Sequence, residues 1–171
     1  MNRMTQMETD VKDRTAAVEQ LVRQNQMTGL VAGCAVMTLE GELPVETLTA
    51  GDRIITRDAG MAVIRAIRTK TLRCDLVSIM AGSLGHSRPE RDVRLPAEQR
   101  ILIRDWRAQA LAGQSQALIP ARALVDGEFV RLDRDVEVTV YEIELDRAHV
   151  IYADGLEVLS FLTVEELARA A

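Results

Sequence analysis

Between Gly29 and about Phe161 the sequence alternates short β-forming runs with turn residues, and this alternation restricts the fold more than any other feature. Turn signals such as Asp58-Ala59-Gly60 and Asp154-Gly155 separate the runs. Many short strands at this spacing predict an all-β sandwich or barrel-like fold. We expect strands at Ala35 to Leu39, Arg53 to Thr56, Met61 to Thr69, Leu76 to Met80, Arg100 to Ile103, Phe129 to Leu132, Glu137 to Leu145, Val150 to Ala153, and Leu156 to Leu159.

Helical patterns flank this β region on both sides. From Thr5 to about Met27, apolar residues recur at steps of three, four and seven, which predicts an amphipathic helix. Its narrow apolar stripe would pack on its own domain or pair with a second copy, and we favour the first. Thr163 and Glu166 form a capping-box pattern that predicts a short C-terminal helix. The chain thus divides into a helical leader (1–28), a β domain (29–161) and a C-terminal helix (162–171).

Composition and charge exclude several classes of protein. The chain of 171 residues is 47% hydrophobic and 27% charged, which is typical of a globular domain. The net charge is −5 and no basic cluster is visible, so we expect no nucleic-acid partner. No apolar run is long enough to span a membrane and the first residues lack a signal-peptide core, so we expect a cytoplasmic protein without a membrane partner.

No familiar metal or cofactor motif occurs in the sequence. The two histidines, His86 and His149, lie far apart, and neither cysteine (Cys34 or Cys74) has a partner at metal-binding spacing. Glycine-rich phosphate loops and the GxSxG motif are also missing. We therefore expect no metal and no cofactor.

Three segments carry a specific pattern. They read GLVAGCAVMTLEGELPVETLTAGDRIITR (29–57), DVRLPAEQRILIRDW (92–106) and VYEIELDRAHVIYADGLEVLS (140–160). In this order they resemble the N-terminal, middle and C-terminal motifs of the Hint domain, the all-β module of hedgehog proteins and inteins. Residues 118–127, LIPARALVDG, look like a bacterial Hint subfamily. The resemblance covers about residues 29–161 and implies a Hint-type fold of many short strands.

The resemblance also implies a chemistry, and this chain departs from it at several positions. Hint domains begin with a Cys or Ser that attacks the preceding carbonyl in an N-to-S or N-to-O acyl shift, whereas the first position here is Gly29. The Thr/Ser and His of the middle motif correspond to Pro96 and Gln99. Proline has no N–H or hydroxyl to donate, and a glutamine amide does not titrate near neutral pH.

The C-terminal motif departs in the same way. The His-Asn pair that ends this motif in inteins corresponds to Leu159 and Ser160, while His149 persists. We expect the His149 ring to be a core-edge group near Asp146 rather than a proton carrier. Cys34 falls five residues after the first position, so we interpret it as a buried thiol rather than a substitute nucleophile.

These departures predict a catalytically degenerate Hint-like domain that acts as a protein-binding or assembly module. Its partner would be a protein or peptide, with a homodimer through the N-terminal helix as one form. The alternative is a self-cleaving Hint domain that acts near residues 27–29 or at Cys34. A third interpretation, an unrelated hydrolase or redox protein on a β-sandwich, has no sequence feature in its favour.

Overall fold

The computed structural model describes residues 3–170, so Met1, Asn2 and Ala171, which belong to the predicted leader and C-terminal helix, lie outside the described residues. Strands dominate, as predicted, and a helix flanks them at each end. The helices are α1 (Arg3–Gln26), α2 (Trp106–Ala112) and α3 (Val164–Ala170). The strands are β1 (Leu30–Val31), β2 (Ala35–Thr38), β3 (Gly41–Pro44), β4 (Arg53–Thr56), β5 (Gly60–Val63), β6 (Ala66–Ile79), β7 (Val93–Pro96), β8 (Arg100–Ile103), β9 (Ala117–Pro120), β10 (Val130–Glu144), β11 (Val150–Ala153) and β12 (Leu156–Leu159).

The strands form two antiparallel sheets. The smaller has the order β1-β10-β6-β7, and the larger has the order β3-β2-β4-β11-β12-β8-β9 with β5 paired to β4. The β11–β12 hairpin lies in the middle of the larger sheet, with Val150 opposite Leu159 at its open end. Because β12 also pairs with β8, through Val158 and Ile101, the hairpin is joined to the middle-motif segment. Both of these residues are buried in the core.

Two long strands replace shorter predicted ones. The run expected at Met61 to Thr69 is divided between β5 and the start of β6, and β6 continues into the run expected at Leu76 to Met80. β10 joins the runs expected at Phe129 to Leu132 and Glu137 to Leu145. β6 and β10 pair antiparallel along nearly their whole length, with a register shift between Asp133 and Val136. Most side chains in the outer part of this ribbon are exposed or only partly buried. Charged residues therefore interrupt the apolar alternation within each long strand. The sequence pattern predicts a strand end at these positions, although the strand continues through them.

The sequence pattern missed five elements. They are the short strands β1, β3, β7 and β9 and the helix α2, which starts at Trp106 with Asp105 as its N-cap. The Asp105 carboxylate accepts the N–H of Arg107 at 2.8 Å, which satisfies a free donor of the first helical turn. The Trp106 side chain is 71% exposed. Arg107 stacks over its ring at 5.0 Å.

The terminal helices differ in how far they contact the β domain. Residues 3–17 of α1 are exposed, including the apolar Met4, Met7 and Val11, and only the last turns are partly covered. Packing on its own domain is thus observed for the end of α1 alone. In α3 the predicted capping box forms, because Thr163 N donates to Glu166 at 2.9 Å and Glu166 N donates to the Thr163 hydroxyl at 3.3 Å. Within residues 3–170, the helices are too short or too polar to cross a bilayer.

Candidate functional site

The sheet topology brings the two ends of the β domain to one place. Gly29 directly precedes β1, which pairs with β10 so that Leu30 lies opposite Tyr141. Leu159 ends β12, and Ser160 follows it. Gln99 lies in the tight turn between β7 and β8. These chain segments, more than sixty residues apart in sequence, meet at the open end of the β11–β12 hairpin.

Gln99 connects both ends of the domain with its side-chain amide. Its Oε1 accepts the backbone N–H of Gly29 at 3.0 Å, and its Nε2 donates to the carbonyl of Leu159 at 2.8 Å. A further bond from Nε2 reaches the Arg100 carbonyl at 3.1 Å. The Gln99 side chain is buried, and its bond to Gly29 lies away from water, whereas the two bonds from Nε2 are partly buried. We call the set Gly29, Gln99 and Leu159 the junction clamp.

Pro96 supports the turn that presents Gln99. The Pro96 carbonyl accepts the Gln99 N–H at 2.9 Å, and Ala97 N donates to Asp75 O at 2.9 Å. Pro96 is itself the last residue of β7, opposite Leu76 of β6. The residue at this position therefore supplies a backbone acceptor and a rigid φ angle, with no side-chain donor.

Gly29 has a backbone conformation that disfavours a side chain. Its φ is +132°, a region that residues with a Cβ atom rarely adopt. A Cβ atom placed there would lie 3.0 Å from the Tyr141 carbonyl and 3.2 Å from Val140 Cβ. A Cys or Ser at this position would thus have a strained φ and a tight contact with β10.

Ser160 and His149 contact each other mainly through their backbones. Ser160 N donates to the His149 carbonyl at 2.9 Å, and His149 N donates to the Ser160 hydroxyl at 2.9 Å. The buried His149 ring instead faces two carboxylates, with Nδ1 at 2.8 Å from Asp58 and Nε2 at 2.8 Å from Asp146. Since carboxylates only accept hydrogen bonds, each ring nitrogen faces a hydrogen-bond acceptor.

The two carboxylates around His149 are held in their ionised forms. Burial raises the pKa of Asp58, but the Val150 N–H and the His149 ring outweigh this effect and leave the pKa below its usual value. The hydrogen bond from His149 lowers the pKa of Asp146 as well. The expectation that His149 is a core-edge residue next to Asp146 agrees with this geometry, although its ring partners are side chains rather than backbone groups.

Cys34 lies away from the junction clamp. It precedes β2 and is close to Asp154 in the turn of the β11–β12 hairpin, whereas Leu159 is at the hairpin's open end. A four-residue strand spans roughly 10 Å, so the thiol and Gln99 are well separated. Burial first, and then the neighbouring Asp154 carboxylate, raise the pKa of the Cys34 thiol far above its usual value. A neutral, enclosed thiol is a poor nucleophile.

The helices at the chain ends cover the junction. Asn25, near the end of α1, donates from its side chain to the Leu162 carbonyl at 2.8 Å. An open recess remains between α1, α3 and Gln99, with Leu21 and Leu167 among its lining residues. Lys70 further binds the carbonyl of Gln26 and the carboxylate of Glu142. The place where the two ends of the β domain meet is therefore largely covered by the chain's own terminal segments.

Sequence reasoning named most residues at the junction but missed several partners. Asp58 was interpreted only as part of a turn, and it lies 91 residues from His149 in the chain. Asn25 carried no signal, because a polar residue near a helix end is common. Among the described residues, no buried side-chain polar atom is without a hydrogen-bond partner. Nor do they hold a cluster of three or more His, Cys, Asp or Glu residues suited to a metal ion.

Comparisons with known proteins agree with this architecture. A sequence profile described as Hint domain matches residues 28–165, and the chain belongs to this family. A search of curated proteins finds no match. The solution structure of a bacterial intein-like domain from Clostridium thermocellum is similar, with 17% identity, a TM-score of 0.56, and coverage of 78% of this chain and 98% of that chain.

A DnaB intein from Synechocystis sp. PCC 6803 is also similar, with 11% identity, a TM-score of 0.53, and coverage of 78% of this chain and 99% of that chain. At these identities the structural likeness establishes the Hint-type fold alone. The predicted family and fold class are both confirmed.

Proposed function

We propose that this protein is a Hint domain that does not cleave itself and that acts as a protein-binding or assembly module. The observation that carries the proposal is the junction clamp. Where the resemblance calls for a histidine acid, Gln99 holds the Gly29 N–H and the Leu159 carbonyl in static hydrogen bonds. A neutral amide stabilises the intact backbone, but it delivers no proton to a leaving amine.

The first position supports the same conclusion. An acyl shift needs a nucleophile in contact with the preceding carbonyl, and Gly29 has no side chain to supply one; its φ of +132° also disfavours any other residue there. The Thr28 hydroxyl donates to the Asn25 carbonyl at 2.6 Å, so it is already engaged. The self-cleaving alternative therefore depends on Cys34, whose thiol is buried and protonated.

The exposed part of α1 supports the assembly role. Met4, Met7 and Val11 are spaced at three and four residues, the spacing of a coiled-coil seam, and remain exposed to solvent. A helix that projects without a partner is marginal in water, so a second copy is the partner we favour for this face. The free, buried Cys34 and Cys74 thiols are compatible with a reducing cytoplasm.

Intact-mass measurement of the chain with a folded tag ahead of Met1, incubated with and without a thiol, tests the absence of cleavage. We expect the full-length mass in both samples. The matched variant Gln99→His restores a titratable group at the clamp, and we expect it to remain uncleaved because the nucleophile is still missing. A thiol-dependent break ahead of Gly29 or Cys34 in the wild type would overturn the proposal, and its loss in Cys34→Ala, which has neither a thiol nor a hydroxyl, would identify the nucleophile.

A further inference from the structure

The only tryptophan of the chain, Trp106, borders an open apolar groove between α2 and residues 123–126. We call it the tryptophan groove. Its apolar lining consists of Trp106, Ala110, Leu111, Ala123, Leu124 and Val125. Trp106 is 71% exposed and Leu111 is 51% exposed, and of the six only Leu124 is buried. Because exposed apolar surface around a tryptophan is typical of interaction sites, the tryptophan groove is a candidate docking surface.

The charged groups that line the tryptophan groove already have partners within the chain. Arg107 pairs with the Asp105 carboxylate. The Asp126 carboxylate accepts the backbone N–H groups of residues 128–130 at 2.8 to 2.9 Å. The exposed charges that flank the groove have both signs: Arg122, Glu128 and Arg131. Apolar surface, rather than net charge, therefore selects what binds there.

The exposed part of α1 provides a second apolar surface of matching character. Residues 3–17, which we call the arm, expose Met4, Met7 and Val11 and span about 22 Å at 1.5 Å per residue. The arm carries three acidic and three basic residues, so its net charge is zero and the mixed charges around the groove do not repel it. Methionine side chains are flexible and make favourable contacts with aromatic rings, so Met4 and Met7 match a surface that contains Trp106.

The arm cannot fill the tryptophan groove of its own chain. α1 is one continuous helix from Arg3 to Gln26 and contains neither Gly nor Pro, the residues at which helices bend sharply. Its end is held by the bond from Asn25 to the Leu162 carbonyl and by Lys70 on the Gln26 carbonyl. With α1 fixed in this direction, its arm lies exposed and away from α2. A second copy of the chain is needed to bring an arm to the groove.

Pairing of two arms with each other leaves only a short apolar seam. After Met4, Met7 and Val11, the next position at this spacing is Arg14, so the seam ends after two helical turns. A stable coiled coil needs about three to four heptads of apolar positions. The tryptophan groove offers the arm a larger apolar contact than a second arm does.

We propose that the arm of one copy docks in the tryptophan groove of a second copy, with Met4, Met7 and Val11 as the side chains that enter it. This inference rests on the proposed assembly role and specifies both contacting surfaces. The three residues have the i, i+3, i+7 spacing by which an amphipathic helix occupies a groove. The exchange is reciprocal, so a twofold axis closes the assembly as a dimer. Two equal contacts then share the burial of about 800 Å² per partner that a stable interface needs.

Complementation between two full-length variants tests the proposal. Val11→Asp disables the arm and keeps the groove, whereas Trp106→Gln disables the groove and keeps the arm. Because Trp106 is the only tryptophan, the fluorescence of a mixture reports the groove of the Val11→Asp chain alone. The control mixture contains the double variant, Val11→Asp with Trp106→Gln, in place of Trp106→Gln. Thermal unfolding verifies that each variant is folded, and Leu111→Glu, read by light scattering, is a second variant of the groove.

We expect each single variant to be monomeric at concentrations at which the wild type is a dimer. The mixture should associate through its one intact contact, at least roughly tenfold more weakly than the wild type, because one of two linked contacts remains. The Trp106 emission should then shift to shorter wavelength, and the control mixture should show no shift.

The mixture is measured up to about a hundredfold above the dissociation constant of the wild type, so that a single contact is detected. A single variant that stays dimeric, or a mixture that does not associate, would overturn the docking of the arm in the groove. The assembly role would still stand if the wild type is a dimer. A wild type that is monomeric at all concentrations would overturn both.

Discussion

The side-chain carbonyl of Gln99 accepts the backbone N–H of Gly29 at 3.0 Å, across 70 residues of sequence. The same amide group donates to Leu159 at 2.8 Å, so one side chain holds both ends of the β domain together. The resemblance to Hint domains implies cleavage of the peptide backbone at these ends. Here the hydrogen bonds of Gln99 hold the intact backbone in place instead. Five predictions follow from this contact and its surroundings.

Replacement of Gln99 by Ala should lower the free energy of unfolding by about 1–3 kcal/mol, because a buried N–H and a buried carbonyl lose their partner. Urea denaturation measures this loss. Gln114→Ala, at an exposed position, is the control and should change stability by less than about 0.5 kcal/mol. Equal stability of the two variants would show that the junction clamp contributes nothing.

Gly29→Ser should destabilise the protein by roughly 1–3 kcal/mol for two reasons. The new Cβ atom comes into tight contact with the Tyr141 carbonyl, and the serine backbone must adopt an unfavourable φ. Gly33→Ser separates the two causes, since Gly33 has a φ of +88° but no atom within 4 Å of its Cβ position. We expect the Gly33 variant to be the more stable in thermal unfolding. A more stable Gly29 variant would mean that β10 shifts away from the new Cβ atom at little cost in free energy.

Stability should fall with acid through the cluster around His149. The pKa values of Asp58 and Asp146 are lowered in the folded state, so their contribution is complete above the unfolded-state value, about 3.9, and is lost as the pH falls through the folded-state values. The difference in melting temperature between wild type and Asp58→Asn should therefore be largest near neutral pH and shrink below about pH 4. A constant difference from pH 7 to pH 3 would contradict the ion pairing.

Both cysteines should resist alkylation in the native protein. Burial raises the pKa of Cys34 and of Cys74, so little thiolate is available at neutral pH. Incubation with a chromogenic disulfide reagent should release almost no colour until denaturant is added, and then two equivalents per chain. Cys34→Ser and Cys74→Ser assign each signal. Rapid native labelling that disappears in Cys34→Ser would revive the self-cleaving alternative.

The exposed stripe of α1 should mediate self-association. We expect light scattering over a concentration series to give a dimer for the wild type and a monomer for Val11→Asp, because a charge in an apolar seam is poorly tolerated. Thr9→Asp places the same charge on another face of the exposed helix and should remain dimeric. A monomer at all concentrations, or identical behaviour of both variants, would exclude this seam as an interface.

The cluster at His149 shows why the site was only partly predictable. Sequence reasoning named Gly29, Gln99, Leu159 and Ser160 as corresponding positions of one motif set, and the fold brings them together. It did not find Asp58, which the fold places beside the His149 ring. Asp58 comes from a separate turn, and a polar residue in a turn has the same sequence pattern whether it faces water or a buried ring.

Local chemistry alone determined much of this protein. Turn residues and β-forming runs indicated the all-β fold, and the Thr163–Glu166 pair defined the start of α3, because turns and caps depend on neighbouring residues. Tertiary structure alone decided the continuity of β6 and β10, the exposure of Trp106 and the positive φ of Gly29 beside β10. Each of these features depends on which distant part of the chain packs beside it. Long-range strand pairing and packing determine that neighbour, whereas the local propensity of the sequence does not.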